Sequence, residues 1–320
     1  MELSDIYAPI KEDLVRAREA LTSISRIDYQ WLSEQLSYLF RETGKALRPA
    51  MTLLSGKSFS YNLEYLLPMS VSVELMHTAT LVHDDAIDNA LTRRGRATIN
   101  SIFGDEIAIL MGDYLFAKAG EFVADTQTPR VIKLFSHTLG IISSGEINQF
   151  RGAYNIDQKR EDYFRRIYGK TASLFSLSTQ SGAILCKAPE EAVGVMKDYG
   201  DNLGIAFQIV DDILDFTSTE DAIGKPVGSD LIQGTLTLPA IMLAERYPED
   251  NPVKKAFETR EREHVTRAIE MVRNSGIIED CYRLASEYCE KACRELKSLP
   301  DTPSRKSLYA LADFVVERNV

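Results

Sequence analysis

Two short aspartate-rich segments hold the residues of this sequence that are best suited to chemistry. Residues 84–88 read DDAID and residues 211–215 read DDILD, so the first, second and fifth positions of each segment are aspartates. In an α-helix the first and fifth positions share a face, and the second is turned about 100° away. Each segment therefore predicts a helix that carries a small array of carboxylates.

Carboxylate arrays of this kind suit Mg²⁺, which prefers oxygen ligands, keeps several waters and often binds through one or two carboxylates plus the phosphates of a substrate. The candidate metal ligands are Asp84, Asp85, Asp88, Asp211, Asp212 and Asp215. Apolar residues precede both segments, so both helices should line a core, where like charges repel each other and need cations nearby. One segment alone is equally compatible with a solvated helix end, whereas two copies favour a paired metal and diphosphate site.

A basic segment near the N-terminus is a candidate phosphate site. Residues 43–49 read TGKALRP, in which Gly44 suits the end of one helix and Pro49 suits the first turn of the next. Lys45 and Arg48 thus flank a helix junction, where cations and free helix-N-terminal amides together bind phosphate. Solvated basic side chains without a ligand are the simpler interpretation of the same residues.

Other charged residues lie close to the aspartate segments in the sequence. His77 comes two helical turns before the first segment, which leaves open a role in the site or in the core. Arg93 and Arg94 follow that segment and can pair with its aspartates or clamp a polyanion. Lys170 lies among small and apolar residues, where it needs an anionic partner. Residues 216–237, rich in Gly and Pro, form a stretch long enough to predict a functional loop.

Length and composition exclude several classes of protein. The 320 residues contain no Pro/Gly/Ser-rich linker, and 44% hydrophobic with 26% charged residues is ordinary for a globular chain, so one domain over 1–320 is expected. A net charge of −10 argues against a nucleic-acid partner. No signal peptide or long apolar run is recognisable, which predicts a soluble cytoplasmic protein without a membrane span. The four cysteines lack a zinc-ligand pattern and are expected to be reduced.

The spacing of apolar residues is helical along nearly the whole chain, and the alternation typical of strands is missing, so an all-α fold is predicted. The predicted helices cover residues 5–24, 28–43, 48–59, 62–90, 105–125, 128–153, 159–186, 189–217, 236–246, 259–273, 277–297 and 303–318. Between residues 105 and 150 only Glu146 and Gln149 suggest chemistry, and this part is interpreted as scaffold.

Taken together, these motifs resemble the trans-isoprenyl diphosphate synthases, also called polyprenyl synthetases. The likeness covers residues 44–239 in order and spacing, and residues 308–316 (LYALADFVV) resemble the family's C-terminal segment. The resemblance implies a single large helical bundle around a deep central cavity, usually in a homodimer. It also implies condensation of an allylic diphosphate with isopentenyl diphosphate, with three Mg²⁺ ions as cofactors.

The resemblance assigns roles to individual positions. By position, Asp84, Asp88 and Asp211 match the main Mg²⁺ ligands, and Asp85, Asp212 and Asp215 match supporting groups. The site for isopentenyl diphosphate matches Gly44, Lys45, Arg48, His77 and Arg94. The grip on the allylic diphosphate matches Arg93, Lys170 and Lys225, and Thr171 and Gln208 match groups that face the developing carbocation. The departing diphosphate is the expected proton acceptor. Where the family often has Gly-Lys, Gly234 is followed by Thr235, so one phosphate-facing lysine is absent.

Product length in this family depends on residues upstream of the first aspartate segment. The fifth residue before it is Ala79, with Met76 three residues deeper, where short-chain relatives carry bulky aromatic residues. One helical turn of about 5.4 Å is roughly one isoprene unit, so the absence of a bulky side chain predicts a C30–C50 product. A short-chain farnesyl or geranylgeranyl synthase is the alternative if Met76 or another side chain closes the cavity.

Two other classes of protein fit less well. A class I terpene cyclase uses one such aspartate segment, but its second metal motif differs, and it needs no second diphosphate site. A non-catalytic subunit that modifies a partner synthase commonly loses the aspartates, and all six are intact here.

Overall fold

The computed structural model describes residues 2–41, 44–93, 95–219 and 227–317 of the chain. Nearly all regular structure in these residues is helical, which confirms the predicted all-α fold. Arg94 and Lys225, to which the resemblance assigns diphosphate contacts, lie outside the described residues. No helix within the described ranges is both long enough and apolar enough to cross a membrane.

The helices are numbered here in chain order. They are α1 (Leu3–Ile6), α2 (Lys11–Ser23), α3 (Gln30–Phe40), α4 (Leu47–Lys57), α5 (Leu63–Ile87), α6 (Ile99–Phe103), α7 (Asp105–Asp125), α8 (Pro129–Arg151), α9 (Arg160–Ile167), α10 (Ser173–Leu185), α11 (Glu190–Thr217), α12 (Ser229–Ile232), α13 (Leu238–Arg246), α14 (Pro252–Thr259), α15 (Arg262–Asn274), α16 (Ile277–Glu295) and α17 (Pro303–Glu317). A π-helical turn, Tyr168–Ala172, joins α9 to α10, and 3₁₀ turns cover Ala8–Ile10 and Leu296–Ser298.

Several predicted elements need correction. The helix expected over residues 5–24 is interrupted, because Pro9 lacks a backbone N–H and sits in a 3₁₀ turn between α1 and α2. The loop after the first aspartate segment contains a two-stranded antiparallel hairpin, β1 (Thr92–Arg93) and β2 (Arg96–Ala97), which turns at Gly95 with φ of +73°. Helices α6, α12 and α14 were not predicted. Asn251 marks the start of α14, because its side chain accepts hydrogen bonds from the backbone amides of Val253 and Lys254.

The aspartate segments are carried by two long helices in the core. Helix α5 is apolar around most of its circumference, as expected of a helix that is buried on all sides, and it packs against α4 and α7. Helix α10 lies between α4 and α11, and α11 packs on α16. Buried residues of the N-terminal half of α11 belong to one hydrophobic cluster with α4, α5 and α10, while its C-terminal half belongs to a second cluster with α13–α16.

Candidate active site

A cavity of about 820 Å³ brings together most of the residues that the sequence singles out. It is lined by Gly44, Lys45, Ala46, Leu47, Arg48, Glu74, His77, Thr80, Leu81, Asp84, Asp88, Arg93, Ile142, Glu146, Lys170, Thr171, Phe207, Gln208 and Asp211. These residues come from the segment before α4 and the start of α4, from α5, β1, α8 and α11, and from the π-helical turn. Carboxylates, cations and apolar side chains therefore share one pocket, as a ligand with a charged head and an apolar tail would need.

The first aspartate segment divides its three carboxylates between the cavity and the protein. Asp84 and Asp88 line the cavity, whereas Asp85 is buried and accepts a hydrogen bond of 2.8 Å from Nε of Arg93. Burial raises the pKa of Asp85, and the Arg93 guanidinium offsets part of that rise. Arg93 thus pairs with an aspartate and also lines the cavity, so both sequence interpretations of this arginine are compatible with its position.

The second segment presents only Asp211 to the cavity. Asp212 is 3% exposed and accepts hydrogen bonds from the Tyr163 hydroxyl at 2.7 Å and from Nε2 of Gln208 at 2.9 Å. Burial raises the pKa of Asp212 to about 7. Asp215 is 2% exposed and accepts from the Ser229 hydroxyl at 2.8 Å and from the backbone amide at position 230 at 3.2 Å.

The basic segment before α4 has an unusual backbone. Ala46, the residue before the helix, has φ of +49°, in the left-handed backbone region that residues other than glycine rarely adopt. The Tyr7 hydroxyl donates 2.9 Å to the backbone carbonyl oxygen of Lys45, which ties the segment to the N-terminal helices. Arg48 is 9% exposed and lies over the ring of Phe175, with 5.0 Å between guanidinium carbon and ring centroid. Lys45, Arg48 and His77 all line the cavity, so the structure brings these three together.

Lys170 lies in the π-helical turn between α9 and α10. Turns of this kind are rare and are frequently found at functional sites. The Lys170 ammonium is 3.0 Å from Oε1 of Glu146 and 3.4 Å from Oδ2 of Asp84. Burial alone would lower the pKa of Lys170, but these two carboxylates outweigh it and hold the pKa above its usual value. The sequence predicts an anionic partner for this lysine, and the structure provides two, one on α5 and one on α8.

A pair of glycines lets α8 and the π-helical turn approach each other. A Cβ added at Gly169 would lie 3.4 Å from Cα of Gly145, so the two backbones leave room for no more than a methyl group. The residue after each glycine is one partner of the Glu146–Lys170 ion pair. Glu146 is a site residue for which the sequence offered no role, and its position directly after Gly145 was the only signal.

Thr171 and Gln208 are joined to each other at the cavity wall. The Thr171 hydroxyl donates 2.6 Å to Oε1 of Gln208, and Gln208 in turn donates to Asp212. Both residues line the cavity, as the resemblance requires of groups that face a reacting carbon. Tyr163, at the far end of this chain of hydrogen bonds, carries no sequence motif and was not singled out.

The two residues expected to set product length lie in the core. Ala79 and Met76 are fully buried in the first hydrophobic cluster, and neither lines the cavity as it stands. The apolar lining of the cavity comes instead from Leu81 of α5, with Ile142 of α8 and Phe207 of α11. A product that grows past this level must therefore enter space that side chains now fill.

The carboxylates at the cavity suit Mg²⁺ by chemistry, because Asp84, Asp88 and Asp211 all present oxygen ligands there. Within the described ranges, no three His, Cys, Asp or Glu side chains lie close enough to hold an ion by themselves. Mg²⁺ does not need such a group, since it binds through one or two carboxylates, waters and substrate phosphates. The residues present therefore fit the ion as a bridge to a phosphorylated ligand.

Comparison with known proteins places the chain in a family. The family model described as polyprenyl synthetase matches residues 29–273. The chain belongs to the polyprenyl synthetase family. This confirms the family resemblance that its sequence motifs indicate.

Individual relatives resemble this family member over their full lengths. The chain is 38% identical over 324 residues to heptaprenyl diphosphate synthase component 2 of Geobacillus stearothermophilus, with 100% of both chains covered. It is 33% identical over 323 residues to octaprenyl diphosphate synthase of Escherichia coli K12, again with 100% of both covered. The crystal structure of heptaprenyl diphosphate synthase from Staphylococcus aureus superposes with a TM-score of 0.93 at 34% identity, covering 97% of this chain and 99% of that one.

Proposed function

We propose that the protein is a Mg²⁺-dependent prenyltransferase that condenses an allylic diphosphate with isopentenyl diphosphate and elongates the product to C30–C50. The observation that carries this proposal is the composition of the 820 Å³ cavity, where carboxylates of both aspartate segments lie together with a second, cationic group of residues. The family relationship agrees with it, because the similar proteins are named heptaprenyl, octaprenyl and solanesyl diphosphate synthases.

The charges at the cavity suggest where each diphosphate binds. Asp84, Asp88 and Asp211 would hold Mg²⁺, three ions by analogy with the family, and through it the allylic diphosphate. Lys45, Arg48 and His77 would hold isopentenyl diphosphate directly, since their side chains supply positive charge and donors without a metal. A single polyanion would need only one of these groups, so their coexistence favours two diphosphate substrates.

The residues of the chain have separable tasks in the reaction. Held by Asp84, Asp88 and Asp211, Mg²⁺ would supply positive charge that offsets the charge on the departing diphosphate. Lys170, kept protonated by Asp84 and Glu146, adds positive charge on the same side. Leu81, Ile142 and Phe207 exclude water from the allylic cation. Thr171 and Gln208 lie at the cavity wall beside that cation. The departing diphosphate would take the proton released when the new bond forms.

The long product is supported by the small side chain of Ala79 on the buried face of α5. The growing prenyl chain would pass this residue and displace flexible side chains such as that of Met76, which adapt to irregular apolar space. Several similar proteins are named as synthases of long prenyl chains, which agrees with a long product.

We further infer one domain and a homodimer. Helix α11 contributes buried residues to both hydrophobic clusters, so one continuous helix joins them, which supports one domain over 1–320. Ile102 of α6 and Ile109 and Leu110 of α7 are 45–63% exposed, and such an apolar surface suits a partner chain. One relative is named component 2, so a different second subunit is the alternative. The molar mass of the purified protein in solution distinguishes a homodimer from a monomer that requires a different subunit.

The cytoplasmic location stays a prediction.

The proposed function is tested by incubating the purified chain with Mg²⁺, isopentenyl diphosphate and each allylic diphosphate from C5 to C20. Mass spectrometry should show stepwise elongation to C30–C50, and a chelator should abolish it. Release of free diphosphate with a cyclic hydrocarbon would instead indicate a terpene cyclase. Elongation that occurs only after another subunit is added would contradict a stand-alone synthase.

A further inference from the structure

Tyr163 on α9 is a fully buried tyrosine whose hydroxyl points to the second aspartate segment. It donates a hydrogen bond of 2.7 Å to Oδ2 of Asp212. Its ring packs edge-on against Phe164 with 5.2 Å between centroids, and the guanidinium carbon of Arg166 lies 5.5 Å from the ring centroid. The ring is therefore held from two sides, and Tyr163 itself does not line the cavity.

The hydrogen bond from Tyr163 is the first of three that lead to the cavity wall. The other oxygen of Asp212, Oδ1, accepts from Nε2 of Gln208 at 2.9 Å. Oε1 of Gln208 accepts from the Thr171 hydroxyl at 2.6 Å. Tyr163 and Asp212 lie in the core, whereas Gln208 and Thr171 line the cavity, so the chain connects the two environments.

The order of donors and acceptors along this chain is fixed by Asp212. With the Tyr163 hydroxyl at Oδ2, the oxygen Oδ1 of Asp212 accepts from the N–H side of the Gln208 amide, which leaves the amide oxygen facing Thr171. The Thr171 hydroxyl has one hydrogen, which it gives to that oxygen. What Thr171 can then offer to the cavity is an oxygen lone pair, which favours a developing positive charge.

We propose that Tyr163 is a positioning residue for prenyl transfer, which holds Asp212 so that the Gln208 amide keeps this orientation and Thr171 presents a lone pair to the cavity. Without the Tyr163 hydroxyl, one oxygen of a buried carboxylate has lost its donor, and the side chain turns to recover one. The Gln208 amide is then free to rotate and to present N–H to Thr171, whose hydroxyl hydrogen turns toward the cavity. The inference rests on the proposed function, because it assigns Tyr163 a part in the same reaction.

The primary test compares two buried tyrosines. Tyr163→Phe should lower the single-turnover rate of condensation about tenfold, as loss of an outer hydrogen-bond partner does at other sites, with KM for both diphosphates within about twofold of wild type. Tyr199→Phe is the matched control, because Tyr199 is equally buried and its hydroxyl donates 2.7 Å to the carbonyl oxygen of Leu308, away from the cavity. Equal rate losses in the two variants would overturn the proposal, as would an unchanged rate in Tyr163→Phe.

A second test asks whether Tyr163 acts through Thr171. In a Thr171→Val background, Tyr163→Phe should change the rate by less than about twofold, since the lone pair is already gone. Two independent, multiplicative losses would overturn the proposal. Tyr163→4-aminophenylalanine keeps a donor at the same place and should retain the wild-type rate, and this variant decides the matter alone if Tyr163→Phe does not fold. If the wild-type protein elongates no substrate, the proposed function fails first, and that result is distinguishable from all of these.

Discussion

The two aspartate segments have aspartates at the same three positions, but their surroundings differ. On α5, Asp84 and Asp88 line the cavity, and only Asp85 is turned into the protein, where Arg93 pairs with it. On α11, Asp211 alone lines the cavity, and the other two aspartates are 2–3% exposed and hydrogen-bonded to protein donors. A repeated motif is therefore not a repeated site in this fold.

The difference follows from what packs against each helix. The end of α5 leads into a short hairpin at the surface, so two of its carboxylates stay open to the cavity. The end of α11 is covered by α9 on one side and by the start of α12 on the other, which supply Tyr163 and Ser229 as donors. The first segment thus presents two carboxylates to the cavity, whereas the second presents one and places the other two in hydrogen bonds within the protein.

The largest expected effect separates Asp84 and Asp211 from Asp215. Asp84→Asn and Asp211→Asn each should lower turnover by about 10²–10³-fold, as loss of one preorganised charge-stabilising group does, and should raise the Mg²⁺ concentration needed for half-maximal rate. Asp215→Asn should instead lower the free energy of unfolding by about 1–3 kcal/mol, because it disturbs buried hydrogen bonds. Asp198→Asn, an exposed position on the same helix, should change neither quantity.

Steady-state kinetics across a Mg²⁺ titration, together with urea unfolding, measure both outcomes. The comparison between the segments fails if Asp215→Asn keeps its stability and loses Mg²⁺ affinity to the same extent as Asp211→Asn. In that case α11 would turn all of its carboxylates toward the metal when substrate binds.

The next effect concerns the alanines that lie five residues before each segment. Ala79 on α5 and Ala206 on α11 are both fully buried. Phe at either position should cost about 1–3 kcal/mol of stability through overpacking. Only Ala79→Phe should shorten the product by one or more isoprene units, because only α5 is expected to border the path of the growing chain. Mass spectrometry of the products measures this, and shortening in Ala206→Phe alone would move the path to the other helix.

Much of the site could be predicted because helical spacing and residue type carry most of the information. Asp84 and Asp88 share a face by their spacing, and Lys45 with Arg48 is marked by the glycine and proline that flank a helix junction. Each of these side chains lines the cavity. Lys170 was predicted to need an anionic partner, and it has two.

The remaining features depend on contacts between distant parts of the chain. Spacing shows that Asp212 faces away from Asp211, but not that Tyr163 on another helix will meet it. The π-helical turn at Lys170 packs against α8 and has no reliable sequence signal. Glu146 differs from other glutamates only through the close approach of the two glycines beside it and Lys170.

The last expected effect is a change of stability with pH that belongs to Asp212. Burial raises its pKa to about 7 in the folded protein, from an unfolded value of 3.8. A raised folded pKa means that the contribution to stability is complete below the unfolded value and is lost as pH rises through about 7. In chelator-treated protein, the free energy of unfolding of wild type relative to Asp212→Asn should therefore fall between about pH 4 and pH 7, by at most about 1.4 kcal/mol per pH unit.

Other buried carboxylates with raised pKa values, such as Asp85, are present in both proteins, so their contributions cancel in the difference. Urea unfolding at several pH values measures this difference in free energy. A difference that does not change with pH would mean that the folded protein stabilises the ionised form of Asp212 more than its two neutral donors can explain. The second segment would then resemble the first more closely.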